Sequence, residues 1–290
     1  MQKPVIIVSG KNGQLGSELQ AAAEQFPQFE FQFSDRDSLD IANETALLQL
    51  FGHCKPAYFI NAAAYTAVDK AETDQENAYK INAAACGYIA NACKQYGTKL
   101  IHISTDYVFN GSATAPYKED DKTDPVNYYG YTKWMGEQLA LENNPLTMVI
   151  RTAWVYSEFG NNFVKTMLRL MKDRKDLNVV SDQRGTPTYA KDLAAVILQI
   201  AAACQANSNS FVPGIYNYSN EGEISWFEFA TAIRDIKQLD CNVHPINAVQ
   251  YPTPAKRPGY SVLDKTKIQQ TYATPAINWR ESLEACLAKL

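Results

Sequence analysis

The chain has 290 residues, enough for one large domain or two unequal ones that each bury a core. Charged residues make up 20% of it and the formal net charge is −4, which gives no support to a nucleic-acid partner but leaves room for a local anion site. No apolar run is long enough to span a bilayer, and residues 5–8 enter an apolar segment almost at once, so neither a membrane span nor a cleavable export signal is expected.

Residues 5–8 read as a short buried strand, followed by Gly10-Lys-Asn-Gly13-Gln-Leu-Gly16 and an amphipathic helix over 17–25. Phe29, Phe31 and Phe33 alternate with polar residues, marking a second strand that ends at Asp35-Arg36. Strand, glycine turn, helix and strand in this order form the first βαβ unit of a doubly wound sheet. The alternation continues with a helix over 45–51, a strand over 57–61 and a longer helix over 75–96. A strand over 100–104, a helix over 129–142 and a strand over 147–151 follow. Near-continuous apolar strands separated by helices predict a parallel sheet covered on both faces.

After Arg151 the character changes. A helix over 163–171 precedes a loop at 185–188 that feeds a helix over 190–203. A polar, turn-rich stretch at 207–214 leads to a strand over 215–219, and helices then alternate with proline-rich loops. The expected fold is α/β: a doubly wound, parallel-sheet Rossmann domain over 1–150, to which 190–219 returns. A smaller mixed α/β C-terminal lobe from 151–189 and 220–290 binds substrate across the intervening cleft.

Glycines at 10, 13 and 16 follow a strand and open a helix, the context in which they permit a tight turn and close approach of a pyrophosphate. Gly10, Lys11, Asn12, Gly13, Gln14, Leu15 and Gly16 therefore form the expected cofactor loop. Asp35 lies nineteen residues after Gly16, where a carboxylate can hold adenosine ribose hydroxyls, while Arg36 can pair with a 2′-phosphate. NADPH and NADH both remain open. Ala62, Ala63 and Ala64, just past a strand end, let the dinucleotide lie against backbone.

Thr105 stands at a strand end, and Tyr129 and Lys133 are four apart at a helix start, so they share a face. A nearby ammonium favours tyrosinate, which brings Tyr129 toward a useful proton-transfer range while Thr105 donates to the substrate oxygen. Tyr128 and Tyr131 have no lysine at that spacing and read as packing or rim residues. The six cysteines lack CxxC spacing and read as buried free thiols, which fits the cytoplasm. The three histidines have no metal-ligand spacing, and His102 reads as a strand side chain.

With these motifs assembled, the chain resembles the extended short-chain dehydrogenase/reductase superfamily and, within it, the dTDP-4-dehydrorhamnose reductase family. The resemblance rests on the glycine loop, Asn61-Ala-Ala-Ala-Tyr-Thr-Ala-Val-Asp-Lys-Ala-Glu72, Ser104-Thr-Asp-Tyr-Val-Phe109 and Tyr129-Gly-Tyr-Thr-Lys133. It extends through Arg151-Thr-Ala-Trp-Val-Tyr156, Asn162-Phe-Val-Lys-Thr-Met167 and Asp182-Gln-Arg-Gly-Thr-Pro-Thr188. It implies a catalytic trio of Thr105, Tyr129 and Lys133 and reduction at C4 of dTDP-4-dehydro-β-L-rhamnose, a dTDP-4-keto-6-deoxysugar, by NADPH or NADH. It further implies that Thr105, Asp106, Tyr129 and Trp154 border the sugar and that Arg257 meets the diphosphate, with Asn162 and Lys165 as weaker pocket candidates. Related dehydratases place an Asp–Glu pair after the threonine; Tyr107 stands in the second of those places here, which argues against water elimination. Some family members use Mg2+ at a homodimer interface; Glu281 and Glu284 are candidate acids, but a solvated helix surface is the expected reading. The alternatives are a non-catalytic NAD(P)-binding subunit resembling the regulatory subunit of methionine adenosyltransferase, and a reductase of another nucleotide-linked ketosugar.

Overall fold

The structure, a computed structural model, describes residues 3–207 and 210–290, so part of the turn-rich stretch at 207–214 lies outside the described residues. The first half of the chain runs β1 (Val5–Ser9), α1 (Gln14–Ala23), β2 (Glu30–Ser34), α2 (Glu44–Cys54), β3 (Tyr58–Asn61), α3 (Val68–Ala71), α4 (Gln75–Tyr79), α5 (Ala85–Tyr96), β4 (Lys99–Thr105), α6 (Tyr128–Asn143) and β5 (Thr147–Thr152). The second half runs β6 (Val155–Tyr156), α7 (Phe163–Asp173), β7 (Asp176–Val180), β8 (Arg184–Gly185), β9 (Thr188–Tyr189), α8 (Ala190–Ala206) and β10 (Gly214–Asn217). It ends with β11 (Ile224–Ser225), α9 (Trp226–Lys237), β12 (Asn242–Ile246), α10 (Thr266–Tyr272) and α11 (Trp279–Leu287).

Six strands form one sheet in the order β10-β5-β4-β3-β1-β2, with every neighbouring pair parallel. Alternation along the inner strands fills two cores: Ile6, Val8, Tyr58, Ile60 and Ile101 face one, whereas Val5, Ile7, Phe59 and Leu100 face the other. Both faces are apolar, so helices must cover both. α8 brings Leu193, Ile197 and Ile200 to the first core, while α5 brings Ile89 and Cys93 to the second. A separate aromatic-rich core is built from Tyr156, Val164, Met167, Met171, Tyr189, Phe229 and Ile233, chiefly between α7 and α9.

Two local departures from the sequence-based elements have physical causes. The helix expected over 75–96 is interrupted by a π segment, Lys80–Ala84. There the Asn82 side chain bonds the Tyr65 backbone and the Thr132 hydroxyl, and α6 packs so closely that a Cβ at Gly136 would lie 2.0 Å from the Asn82 carbonyl oxygen. The loop expected at 185–188 contains two short strands instead, because Gly185 pairs with Ile224 and Thr188 with Val155.

α6 is fixed to the sheet by charge rather than by an apolar stripe. Glu137, fully buried, accepts from the Ser104 hydroxyl at 2.5 Å and from Arg151 Nε and Nη2 at 2.9 and 2.7 Å. Arg151 also donates to the Glu119 carbonyl and lies over the Phe109 ring. Removing one partner leaves the other charge buried and unpaired. Glu137→Ala should therefore lower stability by about 3–5 kcal/mol, read from the shift in urea midpoint against wild type.

A second buried carboxylate ties α1 to the lobe. Glu18 accepts from the Ser157 hydroxyl at 2.6 Å and sits beside Glu158, which Tyr189 and Lys289 hold from the other side. Burial raises the Glu18 carboxyl from 4.5 to about 7, with Glu158 adding to the rise. A raised carboxyl stabilises the fold fully below its unfolded value, and that contribution fades as pH climbs through the folded value. Thermal stability should thus fall between about pH 4.5 and about pH 7 by an increment that Glu18→Gln abolishes, as melting temperatures across that range will show.

Candidate active site

The strand order reverses around β1, whose neighbours are β2 on one side and β3 on the other. Open parallel sheets bind ligands outside the carboxyl ends of strands at such a point. A cleft of about 900 Å³ lies there. The glycine loop and Ala62–Ala64 form one wall, Thr105, Asp106, Tyr129 and Lys133 lie at its floor, and Trp154 and Trp226 reach in from the lobe.

Gly10 adopts φ +80°, and a Cβ there would lie 2.7 Å from the Ala63 nitrogen. Gly13 leads into α1 without a side-chain cap, so the first N–H groups of that helix remain free to meet an anion. The loop therefore fits a dinucleotide pyrophosphate. Gly10, Asn12, Gly13, Gln14 and Leu15 line the cleft, as do Asp35, Arg36, Ala62, Ala63 and Ala64. Gly16 and Lys11 do not. Gly16 is the seat of α1 on the loop, where a Cβ would strike the Gly10 carbonyl at 2.1 Å, and Lys11 is turned onto Asp35 at 3.0 Å. The Lys11 ammonium, with Ser38, holds the Asp35 carboxyl well below the usual carboxylate range. Asn12 donates to the same carboxylate.

β4 ends in Thr105, whose hydroxyl donates to Asp106 Oδ1 at 3.0 Å and accepts from the Tyr107 N–H at 3.2 Å. Asn127 caps α6 by accepting from the Gly130 N–H, and Glu72 accepts from the Tyr128 N–H. Gly130 then lets the helix approach closely, since a Cβ would stand 2.2 Å from the Tyr107 carbonyl. Tyr129 and Lys133 are thereby brought beside Thr105, with the Tyr129 ring edge-on to Tyr107 at 5.7 Å. Tyr128 is half-buried and Tyr131 exposed; neither lines the cleft.

The electrostatics differ in one respect from the spacing argument. Burial pushes the Tyr129 phenol up to about 12; the neighbouring Thr105 hydroxyl lowers it and Asp106 raises it. The Lys133 ammonium donates to the Ile103 carbonyl at 2.6 Å rather than to the phenol. Burial also lowers the Lys133 pKa and holds His102 far below its ordinary value, which makes His102 a neutral part of a buried Asn61–His102 contact.

Trp154 adopts φ +48° and stacks on Trp226 with centroids 3.5 Å apart. Gly185 makes room for it, since a Cβ would lie 2.5 Å from the indole. Trp226 was not singled out in the sequence; it opens α9, and nothing local marks its meeting with Trp154. Asn162 and Lys165 stand behind the cleft wall. Asn162 caps α7 and donates to Gln14 Oε1 at 2.9 Å, and Lys165 donates to the Glu158 carbonyl. Arg257 also lies outside the lining, forked onto both carboxylate oxygens of Asp69. Among the described residues, no group of three His, Cys, Asp or Glu is arranged to hold a metal ion, and no helix is long and apolar enough to cross a membrane. Glu284 faces Arg280 on the surface of α11.

The fold and this cleft define an NAD(P)-dependent oxidoreductase of the extended short-chain dehydrogenase/reductase type. The family described as RmlD substrate binding domain matches residues 4–290. The dTDP-4-dehydrorhamnose reductase of Aggregatibacter actinomycetemcomitans is 41% identical over 96% of this chain and 97% of its own length. A solved dTDP-4-dehydrorhamnose reductase from Clostridium acetobutylicum, 40% identical, superposes with a TM-score of 0.93 over 98% of this chain and 99% of its own. One from Bacillus anthracis, in complex with NADP, is 37% identical with the same TM-score over the whole of both chains. The chain belongs to the dTDP-4-dehydrorhamnose reductase family.

Both residues line the cleft, where a 2′-phosphate would be repelled by the Asp35 carboxylate and attracted by the Arg36 guanidinium. Asp35→Ala should shift the NADPH-over-NADH ratio of kcat/KM upward by about tenfold, equivalent to about 1.4 kcal/mol. Initial rates with each cofactor measure it; an unchanged ratio would place the 2′-position elsewhere.

Proposed function

We propose that the protein reduces the C4 carbonyl of dTDP-4-dehydro-β-L-rhamnose to dTDP-β-L-rhamnose. The observation that carries this reading is the convergence of Thr105, Tyr129 and Lys133 beside the glycine loop in a chain of this family. NADPH or NADH, held by the loop, Asp35-Arg36 and Ala62–Ala64, supplies the hydride when bound. Tyr129 delivers the proton to the C4 oxygen, and desolvation of its phenol keeps that proton in place until the substrate arrives. Thr105 orients the carbonyl, and Lys133, one turn on from Tyr129, reaches the cofactor ribose once its contact with Ile103 is exchanged.

The dTDP-sugar enters from the lobe side. The Trp154–Trp226 platform offers an apolar face to the deoxysugar, and Asp106 borders its hydroxyls. Arg257 is the candidate for the diphosphate, and taking that role requires release of Asp69. Asn162 and Lys165 act through the 157–162 segment behind the pocket wall rather than by direct contact. Tyr107 in place of a second acid favours release of an alcohol over dehydration. The six unpaired cysteines suit a reducing compartment, and we place the reaction in the cytoplasm. A homodimer belongs to this reading as an expectation from the family resemblance.

The test is oxidation of NADPH and NADH at 340 nm with enzymatically prepared dTDP-ketosugar, with the stereochemistry of the product determined. No oxidation with either cofactor would sink the activity. Tyr129→Phe should lower kcat by about 10²–10⁴-fold while cofactor binding persists. Undiminished turnover in that variant would remove Tyr129 as the proton donor.

A further inference from the structure

Residues 157–162 join β6 to α7, and within this lobe segment Gly160 and Asn161 line the cleft together with Gln14 of the glycine loop. The polar side chains around them are committed elsewhere. The Ser157 hydroxyl donates to Glu18 at 2.6 Å and accepts from the Phe159 N–H at 3.0 Å. Glu158 accepts from the Tyr189 hydroxyl at 2.8 Å and pairs with Lys289. Asn162 donates to the Ser157 carbonyl at 2.7 Å and to Gln14 Oε1 at 2.9 Å, and accepts from the Lys165 N–H at 3.1 Å. Asn161 differs from all of these. Among the described residues, neither its side-chain amide nor the backbone N–H of Gly160 or Asn161 has a hydrogen-bond partner.

The segment is also set in place before any ligand arrives. Gly160 adopts φ +62°, and a Cβ there would lie 3.1 Å from Gln14 Cγ, so the turn rests directly on the Gln14 side chain. Gln14 Nε2 in turn donates to the Val155 carbonyl at 3.3 Å, which ties both ends of the turn to the start of α1. A contact offered by such a braced segment loses little to ordering when it is used.

Charge points to what that contact takes. The first N–H groups of α1 are free to meet a dianionic pyrophosphate from the sheet side. A carboxylate on the wall opposite would oppose such a ligand. Glu158 is the one acid in the segment, and it stands outside the cleft lining, held on Tyr189 and Lys289. What the segment presents to the cleft instead is a glycine backbone and a neutral amide with two N–H donors.

We propose that Gly160 and Asn161 are the second jaw of the cofactor site, the Asn161 amide donating to the dinucleotide pyrophosphate from the lobe side. This rests on the reading that the glycine loop holds NADPH or NADH. The lobe thereby takes part in cofactor binding as well as in forming the sugar wall, and the dinucleotide is gripped from both sides of the cleft.

Calorimetric titration of the whole protein with NADPH, NADH and ADP-ribose tests this without turnover. Asn161→Ala should raise the Kd of each ligand by about tenfold, the loss of one hydrogen bond to a charged group, and by a similar factor because all carry the pyrophosphate. Asn161→Asp should weaken binding further by setting a carboxylate against the phosphates, and Asn161→Gln should recover part of the affinity by keeping the amide. The ligand-free melting temperature of Asn161→Ala should match wild type, since the side chain makes no bond within the protein; a merely structural role would move melting and leave Kd alone. NADPH should slow amide hydrogen exchange over 157–162 in wild type and do so less in Asn161→Ala. Wild-type affinity of Asn161→Ala for all ligands would overturn the proposal. So would undiminished or tighter binding by Asn161→Asp, which would put ribose hydroxyls rather than phosphate at this residue. Wild-type protein that bound no dinucleotide would sink the glycine-loop reading as well, whereas wild-type binding matched by Asn161→Ala removes the second jaw alone.

Discussion

Everything in the cleft depends on how one helix is held against one strand. Tyr129, Lys133 and Glu137 recur every four residues along α6 and point at β4, where they meet Thr105, the Ile103 carbonyl and Ser104. The last of these contacts is a buried ion pair with Arg151 on the next strand, so charge fixes the rotation of α6 about its own axis. An apolar stripe tolerates small slips; a forked carboxylate–guanidinium pair with a serine on the same oxygen does not. Gly130 and Gly136 then bring the helix within backbone contact of the Tyr107 and Asn82 carbonyls. The proposed proton-transfer residues are therefore placed by polar bonds in an otherwise apolar layer.

The opposite wall is assembled from another part of the chain by other means. Trp154 leaves β5 in a left-handed conformation that a large side chain rarely takes, and stacking on Trp226 compensates its cost of about 1–3 kcal/mol. The glycine loop touches the same lobe through Gln14, which accepts from Asn162 and donates to the Val155 carbonyl. The glycine loop and the tryptophan-bearing segment thus share hydrogen bonds, so the loop proposed for the dinucleotide also braces the lobe. Glu18 and Ser157 repeat that link one turn further along α1.

Much of the fold was legible because parallel strands buried on both faces leave continuous apolar runs, as at Ile6–Val8 and Phe59–Ile60. The α6 contact was harder to read. Its inward face includes the polar residues Glu137 and Thr132, which mark no apolar stripe, and only their partners on β4, β5 and Asn82 make their burial tolerable. The π segment at Lys80–Ala84 left no signal, because it coincides with contacts remote in the chain, Asn82 with Tyr65 and Thr132 and the close approach of Gly136. Spacing puts Lys133 on the same face as Tyr129, and the acceptor its ammonium takes, the Ile103 carbonyl, is supplied by β4.

Sequence by itself determined the order of elements, the glycine turn with its following carboxylate, and the pairing of a tyrosine with a lysine four residues on. These are local properties, set by backbone sterics and helical periodicity within short windows. The tertiary structure decided which of those residues meet. It drew Lys11 onto Asp35, turned Arg257 to Asp69, set Trp226 against Trp154 and buried Asp106 with one oxygen unpartnered. The reason is that the state of a charged or aromatic side chain depends on distance and desolvation, and both are supplied by segments remote in the chain.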